Sequence, residues 1–170
     1  MLINAARPCR HAVSSRWFVD ETYVKVAGVW RYVYRAMDEH GQVIDVLVSR
    51  RRDIAAARRF FAAAIAAHGE PVEVVTDRAA ALAYVIAELI PTAVHNTDQY
   101  ANNRIECDHG RLKARLRPMR GVKTDRTASV IIRGHAFMQN IQRGHYELGA
   151  EVRHVHLRVT AAFDELATCI

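Results

Sequence analysis

Between Trp17 and Val26 the chain reads WFVDETYVKV, an aromatic and β-branched stretch interrupted by DET and one lysine, and it runs into Ala27-Gly28. This composition predicts a strand ending in a turn. Residues 29–37, VWRYVYRAM, set Val29, Arg31, Val33 and Arg35 against Trp30, Tyr32, Tyr34 and Ala36. That period of two predicts a second strand. After a turn at DEHG (38–41), QVIDVLVS predicts a third, and three strands on short turns make an antiparallel meander.

The period then lengthens. Asp53 can cap a helix whose apolar positions Ile54, Ala57, Phe61, Ala64 and Ile65 follow helical spacing, with His68-Gly69 as its stop. VEVVTD, beside Pro71, predicts a short buried strand, followed by a helix over about 79–90 that ends before Pro91. TAVH (92–95) is a further short strand, a helix opens at NNRIECDH, and a long helix over about 127–147 carries Val130, Ile131, Gly134, Phe137, Met138 and Ile141. Residues 150–170 give no strong signal. The order βββαβα(β)αα predicts an α/β fold, a three-stranded antiparallel meander extended by parallel strands and flanked by helices.

With 170 residues, 51% hydrophobic and 25% charged, the chain has the size and composition of one globular domain. It contains no apolar run long enough for a membrane span and no secretory leader, so a cytoplasmic protein is expected. Cys9, Cys107 and Cys169 are odd in number and lack CxxC spacing, which argues for reduced thiols rather than a disulfide framework or zinc site. Charge placement changes the picture more. Between Arg104 and Arg126 eight basic residues face three acidic ones, a local +5 out of a net +6. Such concentration is the footprint of a phosphate-backbone contact; a solvated helix face is the plainer reading.

Two carboxylates, Glu106 and Asp108, head that basic run in NNRIECDHGRLKARL. With Asn103 as N-cap, Glu106 falls at the position of a capping-box carboxylate, while Ile105, His109, Leu112 and Leu116 form the buried stripe. Asp20 is embedded in the first strand, and Asp77 ends the strand EVVT, where ligands of α/β sheets gather. Asp77 can equally be an ordinary helix cap, and Asp45 in VIDVLV is as embedded as Asp20. Asp20, Asp77 and Glu106 brought together would give oxygen-only ligation suited to Mg²⁺ or Mn²⁺. Two such ions, roughly 4 Å apart, would clamp an in-line phosphoryl displacement, with the basic helix tracking the phosphates of a nucleic acid.

WFVDETYVKVAGVWRYVYRAMDEHGQVIDVLVS, VVTDRAAA and YANNRIECDHGRLKARLRPMRGVKT together resemble the catalytic domain of IS6 family, IS26-like, insertion-sequence transposases. The resemblance implies an RNase H-like fold with a DDE triad at Asp20, Asp77 and Glu106, leaving Asp45 outside. It also implies metal-dependent nicking of DNA at transposon ends, joining of the freed 3′-hydroxyl to target DNA, and at least a dimer to bring two ends together. Arg104, Lys113, Arg117, Arg120 and Lys123 are the expected DNA contacts. Residues 1–16 read as a short remnant in place of the family's N-terminal helix-turn-helix, 17–149 as the catalytic domain, and 150–170 as a tail. The 29 residues from Asp77 to Glu106 are fewer than is usual in the family. A remnant that binds DNA or dimerises without chemistry is the alternative function.

Overall fold

The computed structural model describes residues 2–98, 101–119 and 121–168. β1 (Arg16–Val26), β2 (Val29–Asp38) and β3 (Val43–Ser49) form the antiparallel meander. β4 (Glu73–Val75) pairs parallel to β1 and β5 (Val94–Asn96) parallel to β4, giving the order β3-β2-β1-β4-β5. The hairpin between β1 and β2 is a two-residue turn in which Ala27 and Gly28 both take positive φ, 49° and 79°. That is the backbone hand that matches strand twist, and it requires a residue tolerant of the left-handed region at each position. Ala27 bears the cost because its N–H is held by the Val122 carbonyl at 2.7 Å.

Helices cover both faces of the sheet. α1 (Leu2–Ala5) precedes it, and α2 (Ile54–His68) and α3 (Ala80–Leu89) pack Phe60, Phe61, Leu82 and Ile86 against Trp17, Val19, Tyr34 and Ala36. On the other face α4 (Asn103–Leu116) and α5 (Asp125–Gln142) bring Leu112, Ile132 and Ala136 onto Val24, Val33 and Val46. Burial on both faces explains the continuous apolar run at the start of β1. Truncating a ring such as Phe60 or Phe61 would cost about 3–5 kcal/mol.

The helical stripes agree with the sequence expectation at Ala57, Phe61, Ala64, Phe137 and Ile141 and differ at their leading positions. In α2, Asp53 caps through the Ala56 amide at 2.8 Å, but Ile54 is exposed and Phe60 buried. In α5, Val130 is exposed while Ala128, Ile132 and Ala136 are buried. That helix stops at Gln142 instead of reaching residue 147, because Gly144 turns the chain with φ 79°. The stretch without a strong signal contains α6 (Val155–Thr168), whose Ala162 and Leu166 pack with Phe137 and Ile141 of α5. Ala6, near the start of the chain, is buried in the same cluster.

Candidate active site

β4 is short, and its pairing with β1 ends at Phe18 opposite Val75. Beyond that point the β1 edge is free on the side where the chain leaves β4 toward Asp77. Consecutive strand residues project to opposite faces. Asp20 accordingly lies on the α4 side, 3.3 Å from His109 Nε2, and Glu21 on the α2 side, ion-paired with Arg52. Around the unpaired edge the two carboxylates still meet. Asp20, Glu21 and Asp77 each offer an oxygen, and these oxygens lie within 4.8 Å of one another.

Local bonds orient each member. Asp20 Oδ1 accepts the Glu21 amide at 2.8 Å. Asp77 is exposed, and its Oδ1 accepts the Ala79 amide at 2.9 Å, while the cap position of α3 is Ala79 itself. Glu21 has a side chain only 4% exposed, and its Oε2 is buried without a hydrogen-bond partner. Burial pushes the Glu21 carboxyl above its ordinary range against the pull of Arg52, and the neighbouring Asp77 and Asp20 push it further. Three carboxylates with no sulfur or nitrogen donor form a set chemically suited to a hard divalent cation.

Glu106 stands outside that group. It is exposed on the first turn of α4 and shares a hollow with Asp77, Thr76, Asp98 and Asn103, so Asp77 belongs to both the carboxylate group and this hollow. The expected capping box is absent: α4 begins at Asn103, its cap position is Asn102, and no side chain caps it. The Asn102 side-chain amide instead donates to the Val19 carbonyl at 3.4 Å, so Glu106 is not engaged as a capping-box partner. Asp45 lies elsewhere, in a cavity with Arg7, Arg10 and Arg133.

Asp108 was not singled out as a buried group by the sequence, yet it is 1% exposed. Its carboxylate meets Arg35 and Arg143 at 2.5 Å each, and Gln139 donates to it at 3.1 Å. Burial alone would raise the Asp108 carboxyl, but the Arg35 and Arg143 guanidiniums outweigh it and hold it below the usual range. The signal was present in phase: Asp108 falls on the face of Ile105 and Leu112, and Arg35 on the sheet face of Val33.

The basic residues expected at DNA divide. Arg104 bonds the Glu39 carbonyl and sits over the Phe18 ring at 5.8 Å. Lys113 reaches over the Tyr23 ring at 4.7 Å, and Arg117 and Lys123 are exposed. Among the described residues, Arg111, Lys113, Arg115, Arg117 and Lys123 form no ion pair. Arg120 lies outside the described residues, as does Cys169; Cys9 and Cys107 are free thiols. No described helix is long and apolar enough to cross a membrane.

The model of the IS240-type transposase DDE domain matches residues 14–145. A transposase of the insertion sequence-like element IS431mec from Staphylococcus aureus (strain Mu50) is 35% identical over 114 residues, covering 64% of this chain and 51% of the relative. The chain thus spans about half the length of the curated relatives it matches. Among solved structures, the HTLV-2 integrase catalytic core in its trimeric magnesium form aligns with TM-score 0.57 at 16% identity, over 90% of this chain and 99% of that one. A simian T-cell lymphotropic virus intasome chain aligns with TM-score 0.59 at 20% identity, covering 78% of this chain and 50% of that one. At such identities these two structures establish an integrase-core, RNase H-like fold. The sequence matches go further, and the chain belongs to the IS6 family of DDE transposases, of which it carries the catalytic domain.

Proposed function

We propose that this domain performs divalent-metal-dependent phosphoryl transfer on DNA, cleaving at insertion-sequence ends and joining the freed 3′-hydroxyl to target DNA, with Asp20, Asp77 and Glu106 as its carboxylates. The observation that carries this reading is the meeting of Asp20 and Asp77 oxygens outside the carboxyl end of β4. When bound, a pair of Mg²⁺ or Mn²⁺ ions supplies Lewis-acid activation of the attacking oxygen and stabilises the leaving one. The similar HTLV-2 core was solved as a magnesium complex. Oxygen donors here suit the same class of ion.

The chain's own residues do the positioning. Asp20 is steered by the Glu21 amide and His109, Asp77 by the Ala79 amide, and Glu106 lines the same hollow as Asp77. Lys113, Arg117 and Lys123, with Arg104 and Arg120, track the phosphates. Cleavage consumes one water and leaves a 3′-hydroxyl; joining exchanges one phosphodiester for another and requires no external energy source. Two DNA ends must be held at once, so the acting species is at least a dimer in the cytoplasm. The test uses a pre-cut end and a supercoiled plasmid, which bypasses end recognition and cleavage. Joined product in Mg²⁺ or Mn²⁺, lost in EDTA and in Glu106→Gln at an unchanged melting temperature, is expected. DNA binding without joined product in either metal would refute the reading in favour of a non-catalytic remnant.

A further inference from the structure

We propose that Glu21 is a third carboxylate ligand of the divalent cation at the Asp20–Asp77 centre, with Arg52 as the counter-charge that holds it in place. This rests on the reading that the centre takes a metal, and it adds a ligand to it. Three observations bear on Glu21. One of its oxygens falls with those of Asp20 and Asp77 inside a group no wider than 4.8 Å. Opposed ligands of an octahedral Mg²⁺ are about 4.2 Å apart, twice the ~2.1 Å bond length, so the group needs only slight contraction. Its side chain is 4% exposed, and Oε2 has no hydrogen-bond partner. A buried carboxylate oxygen without a partner is costly, and a cation is what satisfies it.

The pairing with Arg52 does not account for the second oxygen. Arg52 Nε engages Oε1 alone, and that arginine is itself 49% exposed. The surface pair of Arg58 with Glu88 makes the contrast, since that guanidinium contacts both carboxylate oxygens. At Asp108, likewise, both carboxylate oxygens are engaged, one by Arg35 and the other by Arg143. Glu21 instead leaves Oε2 outside the Arg52 pairing, buried and without a hydrogen-bond partner. Three carboxylates set against a doubly charged ion leave an excess negative charge, and Arg52 offsets it. Glu106, outside the group, completes the ion's surroundings from across the hollow together with water and phosphate oxygens.

Mn²⁺ alone is the probe, read by electron paramagnetic resonance of the free ion and by thermal melting with and without metal. In Glu21→Gln, Mn²⁺ affinity should fall about tenfold or more while the metal-free melting temperature holds or rises. Should Glu21→Gln not fold, Glu21→Asp keeps the charge on a shorter side chain and should show the same weakening. Wild-type Mn²⁺ affinity in Glu21→Gln, or in Glu21→Asp, overturns the assignment even where the wild-type domain joins DNA. A wild-type domain that binds no Mn²⁺ at millimolar concentration overturns both the assignment and the metal reading on which it rests.

Discussion

Two acidic centres lie against α4, and they are built in opposite ways. At Asp108 one carboxylate is surrounded by two guanidiniums and an amide, all but sealed from water. At Asp20, Glu21 and Asp77 three carboxylates share one arginine and one histidine, with a buried oxygen left over. The first centre closes its own charge and joins β2, α4 and α5. The second is short of positive charge, with three carboxylates set against Arg52 and His109. A satisfied acid is a fastener; an unsatisfied group of acids, at the open edge of a strand, is a place for something else.

The largest effect expected from this contrast is on stability. Asp108→Ala strands Arg35, fully buried, without its partner, and should cost about 3–5 kcal/mol in denaturant melts. A loss under about 1 kcal/mol would remove the fastener from the comparison.

Acid should act next, through two half-buried histidines, His135 near Arg35 and Asp108, and His68 beside Arg10. His68 and His135 are held down to about 4, chiefly by burial and then by nearby arginines. Between about pH 6.5 and 4 the unfolded chain therefore binds more protons than the folded one, and stability falls as pH falls through that window. At about 1.4 kcal/mol per tenfold difference in proton affinity, discounted for partial solvent access, the two together remove a few kcal/mol. Below the ordinary carboxylate range the lowered Asp108 adds its own loss, since its contribution is full above its unfolded value and vanishes as it protonates. A thermal midpoint flat from pH 7 to 4.5 would contradict this.

DNA affinity should change through the exposed basic residues on and just after α4. Replacing Lys113, Arg117 and Lys123 by alanine should flatten the slope of log affinity against log salt by roughly 2–3, about equally for all duplex sequences. An unchanged slope would make the surface of α4 an ordinary solvated face. The smallest effect has the opposite sign to the first: Asp20→Asn in metal-free protein should leave stability unchanged or raise it by up to about 1 kcal/mol, because like charge is relieved.

The meander, both crossovers and the positions of Asp20 and Asp77 at the sheet could be read from the chain, because period-two alternation and a strand-ending Asp are local signals. α6 could not, since Ala162 and Leu166 are buried only by their contact with Phe137 and Ile141 on a distant helix. Glu21 escaped for a geometric reason. Neighbouring strand residues face opposite ways, and only the early end of β4 allows Glu21 and Asp20 to meet around the edge. The Asp108 fastener needs three elements to be seen together. The capping expectation for Glu106 failed because Asn102, not Asn103, takes the cap position and turns its amide to β1.

The most direct test of the contrast is a pre-cut end joining assay in Mn²⁺ run beside melting curves for Asp77→Asn and Asp108→Asn. Asp77→Asn should abolish joined product while melting as the wild type does, and Asp108→Asn should melt markedly lower yet still join DNA at temperatures where it stays folded. Joining retained in Asp77→Asn, or lost in folded Asp108→Asn, would contradict the division of the two centres.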